Sequence, residues 1–263
     1  MKLPSKHQIR RRLLREMPEK NNRQPQFSEW FDTPLGEKVL AAEKQLLEGY
    51  LSRMFGYHIL QLGCSEDHSL IEDSPVGHKI LFSPCFHNGA RQAVADNEEL
   101  PLAEDSMDVV LIHHALDFTP DSHRLLREAM RVLRPGGRLL VLGFNPVSAW
   151  GIARWFRRKS ESPWNARFIS LRRLSDWLKL LDLHVDNILF GVHFLPLQYG
   201  KLLRNADRME AFGKRFASPL GGAYFVQGTK QVVPITPIVP RWRPLRTAAT
   251  VMPATENVRA KIH

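Results

Sequence analysis

Residues 96–146 read DNEELPLAEDSMDVVLIHHALDFTPDSHRLLREAMRVLRPGGRLLVLGFNP, and this stretch decides the fold. It contains two short apolar runs, Asp108–His113 and Gly137–Gly143, whose lack of polar alternation is typical of parallel strands covered on both faces. Between them, apolar residues recur at helical spacing from Asp121 or Ser122 to Arg134, where Pro-Gly-Gly follows. The stretch therefore predicts a strand, a helix and a second parallel strand.

The flanking sequence continues this alternation of helices and strands. Upstream, the predicted elements are a helix that begins after Thr33 and Pro34 and ends near Gly56, the strand HILQLG from His58, and the strand KILFS from Lys79. Downstream, they are a helix after Ser170, strands over His184–Phe190 and Ala223–Gly228, and a helical insertion around Lys201–Phe216. This order predicts an α/β fold with an open, doubly wound sheet.

Composition narrows the class of protein. Of the 263 residues, 43% are apolar, which is enough for a substantial core. No apolar segment approaches the roughly 20 residues that would cross a bilayer, so we expect a cytoplasmic protein without a transmembrane segment. Cys64 and Cys85 are too few for a disulfide framework or a cysteine zinc site, and we expect no metal.

The net charge of +10 lies in the two ends of the chain. Residues 1–26 hold eight Lys/Arg and two Glu, and residues 230–263 hold six Lys/Arg and one Glu, whereas 27–229 is nearly neutral. We therefore predict a basic tail over 1–26, a domain over 27–231 and a Pro/Arg-rich tail over 232–263. Solvated, disordered ends are favoured over a dedicated RNA contact.

The order and spacing of several short motifs are specific. They are Asp96, Leu100-Pro101, Met107-Asp108, Leu126-Arg127-Glu128, Arg131-Val132-Leu133 and Pro135-Gly136-Gly137. This series closely resembles the central part of class I S-adenosylmethionine-dependent methyltransferases, in particular the type 11 group. The convincing match lies within a motif core over 58–146.

The resemblance implies a Rossmann-like sheet of seven strands, mostly parallel with the last antiparallel, and S-adenosylmethionine at the carboxyl ends of its first strands. By the same resemblance, Gly63, Cys64 and Ser65 face the methionine part of the cofactor. Asp96 accepts from the adenine amino group, and Asn97 offers its backbone amide beside it. His113 ends the fourth strand near the transferable methyl, together with His114.

The cofactor loop departs from the family pattern at three places. Gln61 stands where an acidic residue is usual, Ser65-Glu66-Asp67 replaces a Gly-x-Gly, and residues 79–95 contain no Asp or Glu to hold the ribose. Each loss removes a close backbone approach or a charge-assisted hydrogen bond. We therefore expect weak cofactor binding, in the tens of micromolar or worse.

Three functions remain open. The leading one is methyl transfer from S-adenosylmethionine to an unidentified acceptor, expected to be a small molecule. The second is a non-catalytic relative that keeps the sheet as a binding or regulatory scaffold. The third is an RNA-associated protein, and the basic segments also allow weak contact with an anionic membrane.

Two local features carry predictions of their own. Consecutive strand residues point to opposite faces, so at most one of His113 and His114 faces the cleft, and we favour packing or positioning for both. The segment 149–173 mixes aromatic and basic residues. It could lie on a membrane, stack on RNA or bury its tryptophans, and we favour burial of the aromatics with the arginines in water.

Overall fold

The computed structural model describes residues 23–63, 68–84, 93–157, 161–197, 204–215 and 218–231. The helices within these ranges are α1 (Arg23–Trp30), α2 (Pro34–Leu51), α3 (Ala115–Phe118), α4 (Ser122–Val132), α5 (Ala149–Phe156), α6 (Leu171–Leu180) and α7 (Ala206–Arg215). The strands are β1 (His58–Leu62), β2 (His78–Ser83), β3 (Ala93–Val94), β4 (Met107–His113), β5 (Leu133–Phe144), β6 (Leu183–Gly191) and β7 (Ala223–Lys230).

The strands form one seven-stranded sheet in the order β3-β2-β1-β4-β5-β7-β6. The neighbours from β3 to β5 pair in parallel, whereas β7 runs antiparallel to both β5 and β6. The chain order reverses direction between β1 and β4, which is the position where doubly wound sheets bind ligands. The predicted sheet, including its antiparallel last strand, is confirmed.

Several elements differ from the predicted ones. Helix α2 ends at Leu51 rather than near Gly56, and α4 ends at Val132 because Leu133 already pairs with Met107 in β5. The two-residue strand β3 was not predicted. Helix α1 was not predicted, and it begins at Arg23, before the predicted start of the domain at residue 27. Apart from residues 23–26, the tails predicted over 1–26 and 232–263 lie outside the described residues.

Side chains of the central strands alternate between two apolar layers. Val109 and Leu111 pack with the α2 face, in a cluster with Leu47, whereas Val110 and Ile112 pack on the opposite face with α4 and α6. This alternation follows from the two-residue period of a strand. A third cluster, rich in aromatic residues, lies around the carboxyl ends of β4 and β5 and includes residues of α1.

Two of the residues behind the family resemblance bind the connection between β3 and β4 to helix α4. The Glu128 carboxylate accepts from the Leu100 backbone N–H at 3.1 Å, and the Arg131 guanidinium donates to the backbone oxygens of Leu100 and Leu102. Glu128 and Arg131 also pair with each other at 2.8 Å. These bonds hold the Leu-Pro segment against α4.

Asp108 also binds backbone groups, near the start of β4. Its carboxylate accepts from the backbone N–H groups of Tyr57 and His58 at 2.7 and 2.9 Å, and pairs with Arg134 at 2.6 Å. Asp108 therefore joins the start of β1 to the start of β4.

A close approach joins β5 to the antiparallel strand. Gly143 pairs with Tyr224, and a Cβ on Gly143 would lie 2.5 Å from the Tyr224 hydroxyl oxygen. Only glycine leaves room for this buried ring.

None of the helices in the described part of the chain combines the length and the apolar character that a bilayer crossing needs.

We expect Asp108→Ala to lower the free energy of unfolding by about 1–3 kcal/mol, because two backbone donors and one guanidinium lose their acceptor. Burial would raise the pKa of Asp108, but the bonds from His58, Arg134 and Tyr57 outweigh it and lower that pKa. These bonds therefore contribute to stability at pH values above the ordinary carboxyl pKa. This contribution is lost as the pH falls through the lowered pKa of Asp108.

Urea unfolding at pH 7 and at pH 3 measures both effects. The control is Asp176→Ala, which changes an exposed carboxylate on α6 and should alter stability by less than about 0.5 kcal/mol. Equal stabilities of the two variants at pH 7 would contradict the assignment.

Candidate functional site

The carboxyl ends of four neighbouring strands bring several predicted site residues to one edge of the sheet. Gly63 follows β1, Asp96 and Asn97 follow β3, and His113 ends β4. Because β3, β2, β1 and β4 are adjacent in this order and parallel, these positions lie along the same edge. Cys64 and Ser65, the other two predicted residues, lie outside the described residues.

Gly63 and His113 are in direct contact. Gly63 has φ of +134°, donates its N–H to the Phe82 oxygen at 3.3 Å, and would place a Cβ only 2.2 Å from the His113 backbone oxygen. Any larger residue would therefore meet both a conformational and a steric penalty. The single glycine in this loop is required by the approach of β1 to β4.

Asp96 and Asn97 differ in exposure. Asp96 is exposed, and one of its carboxylate oxygens accepts from the Glu98 N–H at 2.9 Å, which is the bond of an Asx turn. Asn97 is buried. The turn holds the Asp96 carboxylate at the sheet edge.

Gln61 in β1 is the residue at which we expected a departure from the family pattern. Its side chain is buried, accepts from the Leu70 N–H at 2.9 Å and donates to the His68 oxygen at 3.5 Å. The amide therefore binds the segment that returns from the loop after β1. A carboxylate there could not donate to a backbone oxygen.

A buried carboxylate from α2 binds both histidines. Glu43 Oε2 accepts from His113 Nε2 at 2.9 Å, Glu43 Oε1 accepts from His114 Nε2 at 2.8 Å, and all three side chains are completely buried. Sequence reasoning missed Glu43, although a signal existed. It lies on the apolar face of its helix, four residues after Val39 and four before Leu47, where a charge needs a buried partner.

Asp117 extends the cluster on the other side of His114. Its carboxylate oxygen Oδ2 accepts from His114 Nδ1 at 2.9 Å and from the Phe144 N–H at 3.1 Å. His114 thus donates from both ring nitrogens, which is the arrangement of a protonated imidazole.

Burial and the neighbouring charges have opposing effects on the pKa values of Glu43 and His114. Burial alone would raise the pKa of Glu43, but the His114 charge and the two imidazole hydrogen bonds lower it to about 2. Burial would lower the pKa of His114, yet the Glu43 charge and the bonds to both carboxylates raise it to about 9. Burial lowers the pKa of His113 and raises that of Asp117. Glu43 and His114 therefore form an ion pair at neutral pH.

We predicted that at most one of His113 and His114 faces the cleft, on the assumption that strand alternation continues through both residues. His114 instead has φ of +54°, so the alternation ends at His113 and both rings reach the same carboxylate. Both side chains are fully buried, which agrees with the packing or positioning role that we favoured.

Aromatic side chains from α1 and the residues after it cover the cluster. Phe31 stacks on His113 with ring centroids 5.4 Å apart, and Phe27 lies edge-on to His114 at 5.2 Å. Phe27 also stacks on Phe118 at 4.4 Å. The carboxyl end of β4 is therefore closed by residues that sequence analysis assigned to the beginning of the domain.

Glu43, His113 and His114 offer ligand atoms within 4.8 Å of one another. Two imidazoles and a carboxylate also form a donor set that suits divalent transition metals. Here each carboxylate oxygen faces one imidazole nitrogen at hydrogen-bond distance, so hydrogen bonds account for both contacts.

The prediction that the aromatics of 149–173 are buried is only partly right. Trp150 and Trp164 are buried, whereas Trp155 and Phe156 are 86% and 85% exposed. Helix α5 turns Trp150 inward, where its indole donates to the Phe194 oxygen at 2.8 Å. Trp155 and Phe156, five and six residues later, lie on the side of this short helix that faces away from the domain.

The seven-stranded sheet with its reversed last strand defines the class I methyltransferase fold, and comparisons with known proteins agree. A family model described as a methyltransferase domain matches residues 79–141. Uncharacterized protein YafS of Escherichia coli is 34% identical over 209 residues, which cover 79% of this chain and 82% of that protein. The chain belongs to the class I S-adenosylmethionine-dependent methyltransferase family.

A shorter match and two solved structures are consistent with this family. The ubiquinone/menaquinone biosynthesis C-methyltransferase UbiE of Idiomarina loihiensis is 47% identical over 75 residues, which cover 28% of this chain and 30% of that protein. A SAM-dependent methyltransferase of Thermotoga maritima, described as a possible histamine N-methyltransferase, superposes with a TM-score of 0.57 at 20% identity and covers 77% of this chain and 94% of its own. A SAM-dependent methyltransferase of Archaeoglobus fulgidus gives 0.52 at 16% identity, with coverages of 74% and 94%.

We expect Glu43→Gln to lower the free energy of unfolding by about 3–5 kcal/mol at pH 6, because it leaves the buried His114 charge without its main partner. The matched control is Glu48→Gln, an exposed carboxylate on the same helix, which should change it by less than about 0.5 kcal/mol.

The pH dependence follows from the two shifted pKa values. Glu43 is lowered from 4.5 to about 2 and His114 is raised from 6.5 to about 9, so the ion pair contributes fully between pH 4.5 and 6.5. The difference between wild type and Glu43→Gln should shrink as the pH rises through 9 and as it falls towards 2. Chemical denaturation across pH 3–10 measures it, and a difference that grows above pH 7 would contradict the ion pair.

Proposed function

We propose that this protein binds S-adenosylmethionine at the carboxyl edge of β1, β2, β3 and β4 and transfers its methyl group to a small-molecule acceptor. The observation that carries the proposal is the placement of Gly63, Asp96 and His113 along that edge. The family membership supports the reaction type. The acceptor is proposed as a small molecule because UbiE, by its name, acts in quinone biosynthesis.

The residues present fit the cofactor in two respects. Gly63 lets the backbone turn closely at the end of β1, where a Cβ would clash with the His113 backbone oxygen. Asp96 holds an exposed carboxylate at the end of β3, where it can accept from an adenine amino group. S-adenosylmethionine would supply an electrophilic methyl on a sulfonium, and in-line transfer requires mainly orientation and exclusion of water.

The buried cluster of Glu43, His113 and His114 supports this proposal by fixing the backbone beside the site, and not by transferring protons. His113 ends β4 with its ring fixed between Glu43 and Phe31, so the backbone beside Gly63 has one position. A fixed backbone at the ligand side reduces the entropy lost on binding. We assign positioning, and no proton transfer, to His113 and His114.

A non-catalytic scaffold is the second candidate function. Two features favour it: the expected departure from the family glycines at Ser65-Glu66-Asp67, and the burial of both histidines beneath Phe27 and Phe31. Calorimetric titration with S-adenosylmethionine and S-adenosylhomocysteine separates the two candidates. Dissociation constants in the tens of micromolar or somewhat above support the enzyme, and absence of heat at millimolar cofactor supports the scaffold.

We expect Asp96→Ala to weaken cofactor binding by about 1–3 kcal/mol, or roughly 5- to 150-fold, because the adenine amino group loses a charged acceptor. Glu104→Ala is the control, since Glu104 is an exposed carboxylate elsewhere in the same connection between β3 and β4. Titration of both folded variants with S-adenosylhomocysteine provides the measurement. Equal affinities would refute the role of Asp96.

We expect the double substitution Ser65→Gly and Asp67→Gly to tighten cofactor binding at least several-fold, since it restores the close backbone approach that the family loop permits. The readout is the dissociation constant from the same titration. The control Ser65→Ala and Asp67→Ala removes the same side-chain groups without the glycine freedom. Equal tightening in both variants would show that side-chain charge, and not backbone freedom, limits affinity.

A further inference from the structure

Large apolar side chains are exposed at one end of the domain. They are Val147, Ile152, Trp155, Phe156, Phe212 and Leu220, each at least 61% exposed, and we call them the apolar edge surface. Exposed apolar residues are common singly, but a group of this size with two neighbouring aromatics at 85% exposure or more marks an interaction site.

The sheet topology places these residues at the same edge. Ala223, the first residue of β7, pairs with Phe144 at the end of β5 and with Gly191 at the end of β6. The connection that follows β5 and the connection between β6 and β7 therefore emerge side by side. The apolar edge surface lies in these connections, at the carboxyl edge of the sheet.

Helix α5 presents the most exposed part of this surface. Its Trp150 is fixed inside the domain by the bond to the Phe194 oxygen, and Gly151 is also buried. Ile152, Trp155 and Phe156 are left outside, so the short helix is anchored on one side and apolar on the other. Such a helix end can enter the interface of a bilayer without unfolding.

The charge around the surface is strongly positive. Among the described residues of 145–170 and 192–222, which form this edge, seven are Lys or Arg and three are Asp or Glu. One of the acids, Glu210, is buried against His193 and is unavailable to a partner. Arg154 and Arg157 lie over the rings of Phe168 and Trp164, at 5.1 and 5.8 Å, and so pack against the same part of the domain from which Trp155 and Phe156 project.

An apolar cavity opens beside the same surface. It has a volume of about 430 Å³, is lined by Met209, Phe212 and Leu220 together with His193 and Arg208, and shares two residues with the apolar edge surface. A cavity with an apolar wall and the exposed Arg208 in its lining suits a hydrocarbon chain attached to an anionic headgroup.

We propose that the apolar edge surface docks this protein on anionic lipid bilayers, with Trp155 and Phe156 inserted at the interface and the surrounding basic residues facing the headgroups. The combination of exposed aromatics and excess positive charge matches the two attractions that hold an interfacial helix. The proposal concerns lipid binding alone and stands whether or not the protein transfers methyl groups.

The test uses the full chain and vesicles of phosphatidylcholine, with and without 30% phosphatidylglycerol. Co-sedimentation should show binding to the anionic vesicles and at least tenfold weaker binding to the neutral ones. Trp155→Ala with Phe156→Ala should weaken binding to the anionic vesicles at least tenfold. Bromine-labelled lipids should quench tryptophan fluorescence in wild type and quench it much less in this variant.

The matched control is Phe55→Ala with Tyr57→Ala. These residues are 86% and 77% exposed but precede β1, at the opposite edge of the sheet. Both double variants keep every Lys and Arg, so attraction between vesicles and the basic ends of the chain is the same in each. Because all four side chains are exposed, melting temperatures should equal that of wild type. The control variant should bind vesicles like wild type.

Three results would overturn the proposal. Equal vesicle binding by the two double variants would show that the basic ends alone attract the lipid. Loss of binding to polyuridylate RNA, but not to vesicles, in the Trp155/Phe156 variant would assign the surface to nucleic acid. A dimer in sedimentation velocity that this variant alone abolishes, without lipid binding by wild type, would assign the surface to a second copy of the chain.

Discussion

The buried carboxylate of Glu43 is the constraint on which the site depends. A charge with no access to water is tolerated only with partners, and here His113 and His114 supply one hydrogen bond to each oxygen. These bonds lock α2 to the end of β4. The approach of Gly63 to His113 and the packing of Phe31 on the His113 ring both rely on that position. Satisfying a single charge thus orders three segments that are far apart in the chain.

The residues that carry the family resemblance are for the most part structural. Glu128 and Arg131 bind the backbone around Leu100, and Asp108 binds the backbone at the start of β1. Such bonds stabilise the topology of this sheet, and none of them involves the side chains of Asp96 or His113. The motif series therefore predicts the fold strongly and the chemistry of the site more weakly.

Sequence alone predicted much of the fold because its signals are local. The apolar runs of β4 and β5, the capping residue Asp121 and the helical spacing of α4 can each be recognised within a few residues. Strand β3 was missed because two residues carry no periodicity. Glu43 was missed because its partners lie 70 and 71 residues away, and the exposure of Trp155 because composition does not specify which side of a helix meets the domain. The predicted roles of Asp96 and Asn97 remain predictions.

The contact between Gly143 and Tyr224 has a consequence for the divergence of this protein. The phenol ring fills the space that a side chain at position 143 would need, and the two residues face each other across β5 and β7. A mutation that enlarges residue 143 is tolerable only if residue 224 has already become smaller, and a small residue 224 leaves a cavity until residue 143 grows. A substitution at either position is therefore tolerated only together with one at the other, so the two positions should change together in relatives or not at all.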